Sequence, residues 1–82
     1  MYYIIKGGIT MELTTAEKIK LLMRRRGLTL GELADLTGQT RQNLSNKMSR
    51  DNFAEKEAQK IAAALGCTAR ISFTLDDSGE VL

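Results

Sequence analysis

Residues 33 to 48, LADLTGQTRQNLSNKM, join two short runs, each with a few apolar residues, through Gly38. Behind the glycine stands a dense polar string: Gln39, Thr40, Arg41, Gln42, Asn43, Ser45, Asn46 and Lys47. The spacing around the glycine decides how these runs fold. Ala34 lies four residues before Gly38, and Leu44 lies six after it. A small side chain at 34 lets two helix backbones approach closely. Glycine at 38 permits the positive φ of a sharp turn. An apolar side chain at 44 anchors the second helix on the first. Two helices crossing through such a turn make a helix-turn-helix unit.

The polar string then becomes one face of a helix. At about 100° per residue, Leu44 and Met48 share the inward side, while Arg41, Gln42, Ser45, Asn46 and Ser49 share the outward side. That face is rich in side chains suited to base edges in a major groove. Gln and Asn bond adenine bidentately, Arg does the same with guanine, and Ser fits either. A helix face that meets only water is also polar. It leaves the Ala–Gly–Leu spacing, the caps and the local basicity unexplained. Backbone N–H groups at the starts of the two helices, with Thr29 and Thr40, suit phosphates. Gln39 and Asn43 border the same region, and Lys47 and Arg50 flank it as expected phosphate contacts.

The flanking elements follow from local signals. Thr14 with Glu17, and Thr29 with Glu32, have capping-box spacing and open helices one and two. Helix one carries Ala16, Ile19, Leu22 and Met23 on one face and stops at Gly27, with Arg24 to Arg26 in its last turn. Helix two turns Leu33 and Ala34 inward and ends at Gly38. Thr40 caps a third helix from Arg41 to about Ser49. A fourth is expected to start near Asn52–Ala54, where Asn52 and Glu55 have cap spacing; its stripe is Ala58, Ile61, Ala62 and Leu65 and its end is Gly66. YYII, residues 2–5, reads as a short strand before a Gly7-Gly8 break. Ala69, Ile71, Phe73 and Leu75 alternate with polar residues, which predicts a half-buried strand; DDSG makes a turn, and Glu80 to Leu82 a return strand.

Composition bounds the function. Eighty-two residues make one small domain whose core must be aliphatic, since only two tyrosines and two phenylalanines are present. A core so thin often gains stability by dimerising. With no histidine and one cysteine, no intramolecular disulfide is possible and neither a zinc site nor His-dependent catalysis is expected. Asp76 and Asp77 are explained by the turn, and Cys67 reads as a small buried residue. The chain is therefore not expected to be an enzyme, nor to need a cofactor or small-molecule ligand. No apolar run approaches the roughly 20 residues of a membrane span, so a cytoplasmic protein is expected. Charge is uneven. Residues 1–27 carry Lys6, Lys18, Lys20, Arg24, Arg25 and Arg26 against two acids, and residues 41–50 carry Arg41, Lys47 and Arg50 against none. Residues 51–82 are net acidic. An anionic partner on one side fits that asymmetry.

The segment GLTLGELADLTGQTRQNLSNKM resembles the helix-turn-helix of Cro/repressor-type DNA-binding proteins, the Xre-like family. RRRGLT, ELA, the turn glycine and the closing KIAAALG extend the resemblance over roughly residues 15–66. It implies a mainly α, lambda-repressor-like bundle of four helices. Base readers would be Arg41, Gln42, Ser45 and Asn46, with Thr40 and Asn43 at the edge. The position opening helix two, often a phosphate-touching Gln in the family, is Leu30 here. Thr37, Gln39 and Lys47 occupy places that are often apolar, and Leu36 and Met48 are expected to supply the missing packing. SFTLDDSGEV is similar to the C-terminal hairpin of the smallest Cro proteins; by that analogy YYII pairs with it, and one edge strand pairs with its twin in a dimer.

The expected organisation is an N-terminal strand or extension (1–10, with Met11 as an alternative start), a DNA-binding domain (11–66) and a dimerising hairpin (67–82). The expected function is a transcriptional regulator, a repressor of prophage or mobile-element type. It would bind a palindromic double-stranded operator as a homodimer. Two rivals are the antitoxin of a toxin–antitoxin pair built on the same unit, and a protein-interaction module with the helices as scaffold.

Overall fold

Four helices carry the fold, and each closes in the same way. The computed structural model describes residues 2–5 and 9–82, and for residues 2–5 and 9–12 the backbone alone. In chain order the elements are β1 (Tyr2–Ile5), β2 (Ile9–Glu12), α1 (Thr15–Arg26), α2 (Leu30–Leu36), α3 (Arg41–Arg50) and α4 (Glu55–Ala64). Thr14 and Thr29 form full capping boxes with Glu17 and Glu32, and Thr40 caps α3 through the Asn43 amide. At each C-terminus the chain turns through a left-handed residue: Gly27, Gly38, Asp51 and Gly66. The amide of the residue after it donates to a carbonyl five positions back: Leu28 to Met23, Gln39 to Ala34, Asn52 to Lys47 and Cys67 to Ala62.

Asp51 is the one residue of that set without a glycine's freedom, and its side chain explains it. Its carboxylate accepts from the Ala16 amide at 2.7 Å, filling one of the donors left open at the start of α1. The end of α3 is thereby tied to the start of α1. Arg26 ties the other ends together, its Nε donating to the Leu65 carbonyl at 2.9 Å beside the last turn of α4.

This geometry corrects the expected cap at Asn52. Asn52 is used to close α3, and α4 begins two residues later with Ala54 as its N-cap and no side-chain cap bond. Glu55 and Glu57 in the first turn complement the helix dipole instead.

The core is aliphatic: Ala16 and Ile19 from α1, Leu33 and Ala34 from α2, Leu44 and Met48 from α3, Ile61 and Leu65 from the α4 segment. Leu33 and Leu44 are wholly enclosed, so the turn at Gly38 folds α3 directly onto α2. Leu30 packs partly against this core, which accounts for an apolar residue at the opening of α2. Leu36 does not take part; it is 60% exposed, and Met48 alone of the two expected helpers is buried. Cys67 packs against the core but is only half-buried.

Outside the helices the sequence expectations need correcting. β1 pairs antiparallel with β2, Tyr2 opposite Glu12 and Ile5 opposite Ile9, not with the C-terminal segment. The expected break at Gly7-Gly8 lies outside the described residues. The strand expected over Ala69–Leu75 is not formed; one isolated bridge, Thr74 to Val81, closes a turn around Gly79. Of its expected inward residues only Ala69 is half-buried; Ile71 is 60% and Phe73 71% exposed. The return segment reaches only the end of this stretch: the Leu82 amide donates to the Phe73 carbonyl at 2.8 Å and the Leu75 amide to the Glu80 carbonyl at 2.7 Å, and no bridge extends to residues 69–72.

Candidate nucleic-acid interface

The Gly38 turn, anchored by Leu44, presents α3 with one long edge outward. Arg41, Gln42 and Asn46 are exposed along it. Gln42 Nε2 donates to Asn46 Oδ1 at 3.2 Å, one turn further on, so the two amides stand as a pair. Gln42 still has a carbonyl oxygen and a second N–H free, the set that matches an adenine edge. The Arg41 stem passes beside α2, with Cδ 3.8 Å from the place a Cβ on Gly31 would take. A methyl group at 31 would meet that stem in ordinary van der Waals contact. Ser45 sits on the flank of α3, half-buried in a cleft with Lys20, Met23, Leu30 and Ser49. Of the four expected base readers, three therefore share the exposed edge and Ser45 borders it.

The start of α3 differs electrically from the other helix starts. α1, α2 and α4 each carry Glu in the first turn, and α3 carries none. Its positive end is thus left without a neutralising carboxylate. The Thr40 and Thr29 hydroxyl oxygens accept from the Asn43 and Glu32 amides at 3.1 and 3.2 Å, which leaves each O–H free to donate outward. At α2, by contrast, the Thr29 backbone amide and then its side chain hold the Glu32 carboxyl below its ordinary pKa. An anion approaching α2 meets that carboxylate; one approaching α3 does not.

The expected phosphate contacts divide. Thr29, Thr40, Asn43 and Arg50 are exposed. Gln39 and Lys47 are half-buried and bonded to one another, Lys47 Nζ donating to Gln39 Oε1 at 3.2 Å, and Lys47 also pairs with Glu57 of α4. Two lysines that the sequence groups with the acidic tail stand beside the turn instead. Lys56 and Lys60 line a cleft with Gly38, and Lys60 Nζ is 3.9 Å from the place of a Cβ on Gly38. Their four-residue spacing on α4 places them on one face; only the tertiary packing shows that this face borders the turn. With Lys20 on the opposite side, lysines frame α3 on both flanks.

Among the described residues no helix is long and apolar enough to cross a membrane, and no three His, Cys, Asp or Glu side chains gather as a metal site. A family model described as the Cro/C1-type HTH DNA-binding domain matches residues 18–70, from the first turns of α1 to Arg70. No curated protein and no solved structure matches the chain.

Proposed function

Since the chain belongs to the Cro/C1-type helix-turn-helix DNA-binding family, we propose that it is a transcriptional repressor of prophage or mobile-element type that reads an operator through the exposed edge of α3. The reading rests on one observation above the rest. Arg41, Gln42 and Asn46 share an exposed edge whose helix start, alone of the four, is free of acid. Arg41 and Gln42 are the chief base readers, with Asn46 orienting Gln42 and Ser45 at the flank. Thr40, Asn43 and Arg50 hold phosphates, Thr29 contributes less because the Glu32 carboxylate stands beside it, and Lys20, Lys56 and Lys60 add to the positive frame. Phosphate contacts supply most of the affinity, and base contacts the choice of sequence.

Each subunit offers few cations, so tight binding calls for a homodimer on a palindromic site with half-sites about one helical turn apart. The bare apolar side chains of the tail, Ile71, Phe73 and Leu75, support dimerisation through residues 67–82. The same exposed tail would serve an antitoxin docking its toxin, and a small open reading frame beside the gene would favour that rival.

Selection from random duplex DNA should recover a half-site. Gln42→Ala and Arg41→Ala should then each cost roughly 1–3 kcal/mol on that operator and much less on shuffled DNA. A gel-shift titration in which both variants keep full discrimination would reject the assignment.

A further inference from the structure

A polar chain runs through the place where α2, the turn, α3 and α4 meet. Lys47 Nζ of α3 donates to a Glu57 carboxylate oxygen of α4 and to Gln39 Oε1 of the turn. Gln39 Nε2 donates to Thr37 Oγ1 at 2.9 Å, and Thr37 Oγ1 donates to the Leu33 and Ala34 carbonyls of α2 at 2.9 and 3.2 Å. Every donor in the chain points the same way, from α3 through the turn into α2, with Glu57 drawing the lysine towards α4. Thr37 is 4% exposed and is the one buried polar residue among the described side chains. Lys47 and Glu57 are 29% and 23% exposed. No buried side-chain nitrogen or oxygen among the described residues lacks a partner.

Such a network constrains differently from an apolar seam. Apolar contacts tolerate small slides and rotations, whereas directional bonds fix distance and angle. Lys47 is also poorly placed to be a phosphate contact, because its ammonium is held on the α4 side of α3 while Gln42 and Asn46 occupy the exposed edge.

We propose that Lys47 is a positioning residue for DNA reading: with Glu57, Gln39 and Thr37 it sets the angle at which α3 leaves the turn, and so which of Arg41, Gln42, Ser45 and Asn46 reach base edges. The inference rests on the DNA-reading role of α3. Glu57, which bonds Lys47 and has no hydrogen bond to any expected base reader, becomes a determinant of sequence choice.

The two roles for Lys47 predict opposite results for Glu57→Gln. As a positioning pair, its loss lowers the ratio of operator to shuffled-DNA affinity by about fivefold or more, the scale of one base contact, and leaves the salt dependence unchanged. As a phosphate contact, Lys47 is freed by the variant; both duplexes bind more tightly, the ratio stays, and the salt slope steepens by about 0.9 for each further phosphate neutralised. The second pattern, or no change at all, overturns the proposal. The probes are the duplex recovered by selection and a shuffled duplex of equal length. If selection enriches no sequence, the DNA-reading assignment itself has failed, before any variant is made. A DNA-free measurement guards against a variant that merely unfolds. In wild-type protein the Gln39 amide should exchange slowly with solvent, and in folded Glu57→Gln it should exchange faster while the Leu65 amide of α4 is unaffected. Equal exchange at Gln39 in the two proteins would overturn the network's hold on the turn.

Discussion

The helices and the tail of this chain use apolar residues in opposite ways. In residues 15–66 the periodic apolar positions meet each other, and Leu33, Leu44, Ile61 and Leu65 are wholly enclosed. In residues 67–82 an alternation just as regular, Ile71, Phe73 and Leu75, joins no core, and all three stay exposed. The difference lies in closure. A helix makes its own hydrogen bonds and needs only a packing partner, which the neighbouring helices supply. A strand needs both a packing partner and a paired edge, and the tail has only one bridge to its own return segment, Thr74 to Val81, with no core behind it. The same quality of pattern therefore marks a core in one region and a surface open to a partner in the other.

The sharpest break of this contrast comes from its enclosed side. Leu44→Ala removes a side chain with no exposure at the contact of α3 with α2. It should destabilise the domain by roughly 2–5 kcal/mol, read as a lower urea midpoint with an unchanged slope. A loss under about 1 kcal/mol would mean that the seam can collapse around the gap, and that the turn rather than the leucine holds α3.

The open side should answer differently. Phe73→Ser should alter the stability of the single chain by no more than about 0.5 kcal/mol, as for other exposed positions. Its effect should appear with protein concentration, as a weaker dimer in sedimentation and a steeper loss of operator binding on dilution. A cost equal to that of Leu44→Ala and independent of concentration would show that the tail packs on its own chain.

The contrast also explains what is legible in the sequence. Caps at Thr14, Thr29 and Thr40 and stops at Gly27, Gly38 and Gly66 are decided within a few residues, and these are where the helices begin and end. The polar edge of α3 is likewise a matter of one helix's spacing. The N-cap of α4 is not legible because Asn52 serves α3, and Asp51 gives no hint of its bond to Ala16, 35 residues away. Lys47 reads as a free cation because Glu57 lies on another helix, and Lys60 reads as part of the acidic tail because its approach to Gly38 is tertiary. The tail shows the same limit in reverse: alternation states which side of a strand is apolar, not whether a core lies behind it, and the return segment forms a single bridge, Thr74 to Val81.

The smallest expected effect tests whether the local signals act as locally as this contrast supposes. Glu32 closes the capping box of α2, accepting from the Thr29 amide at 3.0 Å, and that bond, with the Thr29 side chain, lowers its pKa in the folded state. A carboxyl whose folded pKa lies below its unfolded one binds fewer protons when folded. Its contribution is therefore present above the unfolded value, about 4.3, and is lost as pH falls through the folded one. Gln at 32 keeps an oxygen for the Thr29 amide but cannot ionise. Glu32→Gln should thus melt slightly below wild type at pH 7, and the two curves should draw together as pH falls through and below the ordinary carboxylate range. Thermal unfolding at pH 7 and pH 3 measures the gap. Equal melting of the two proteins at pH 7 would mean that the carboxylate's charge adds nothing, so that the box at α2 holds by geometry alone.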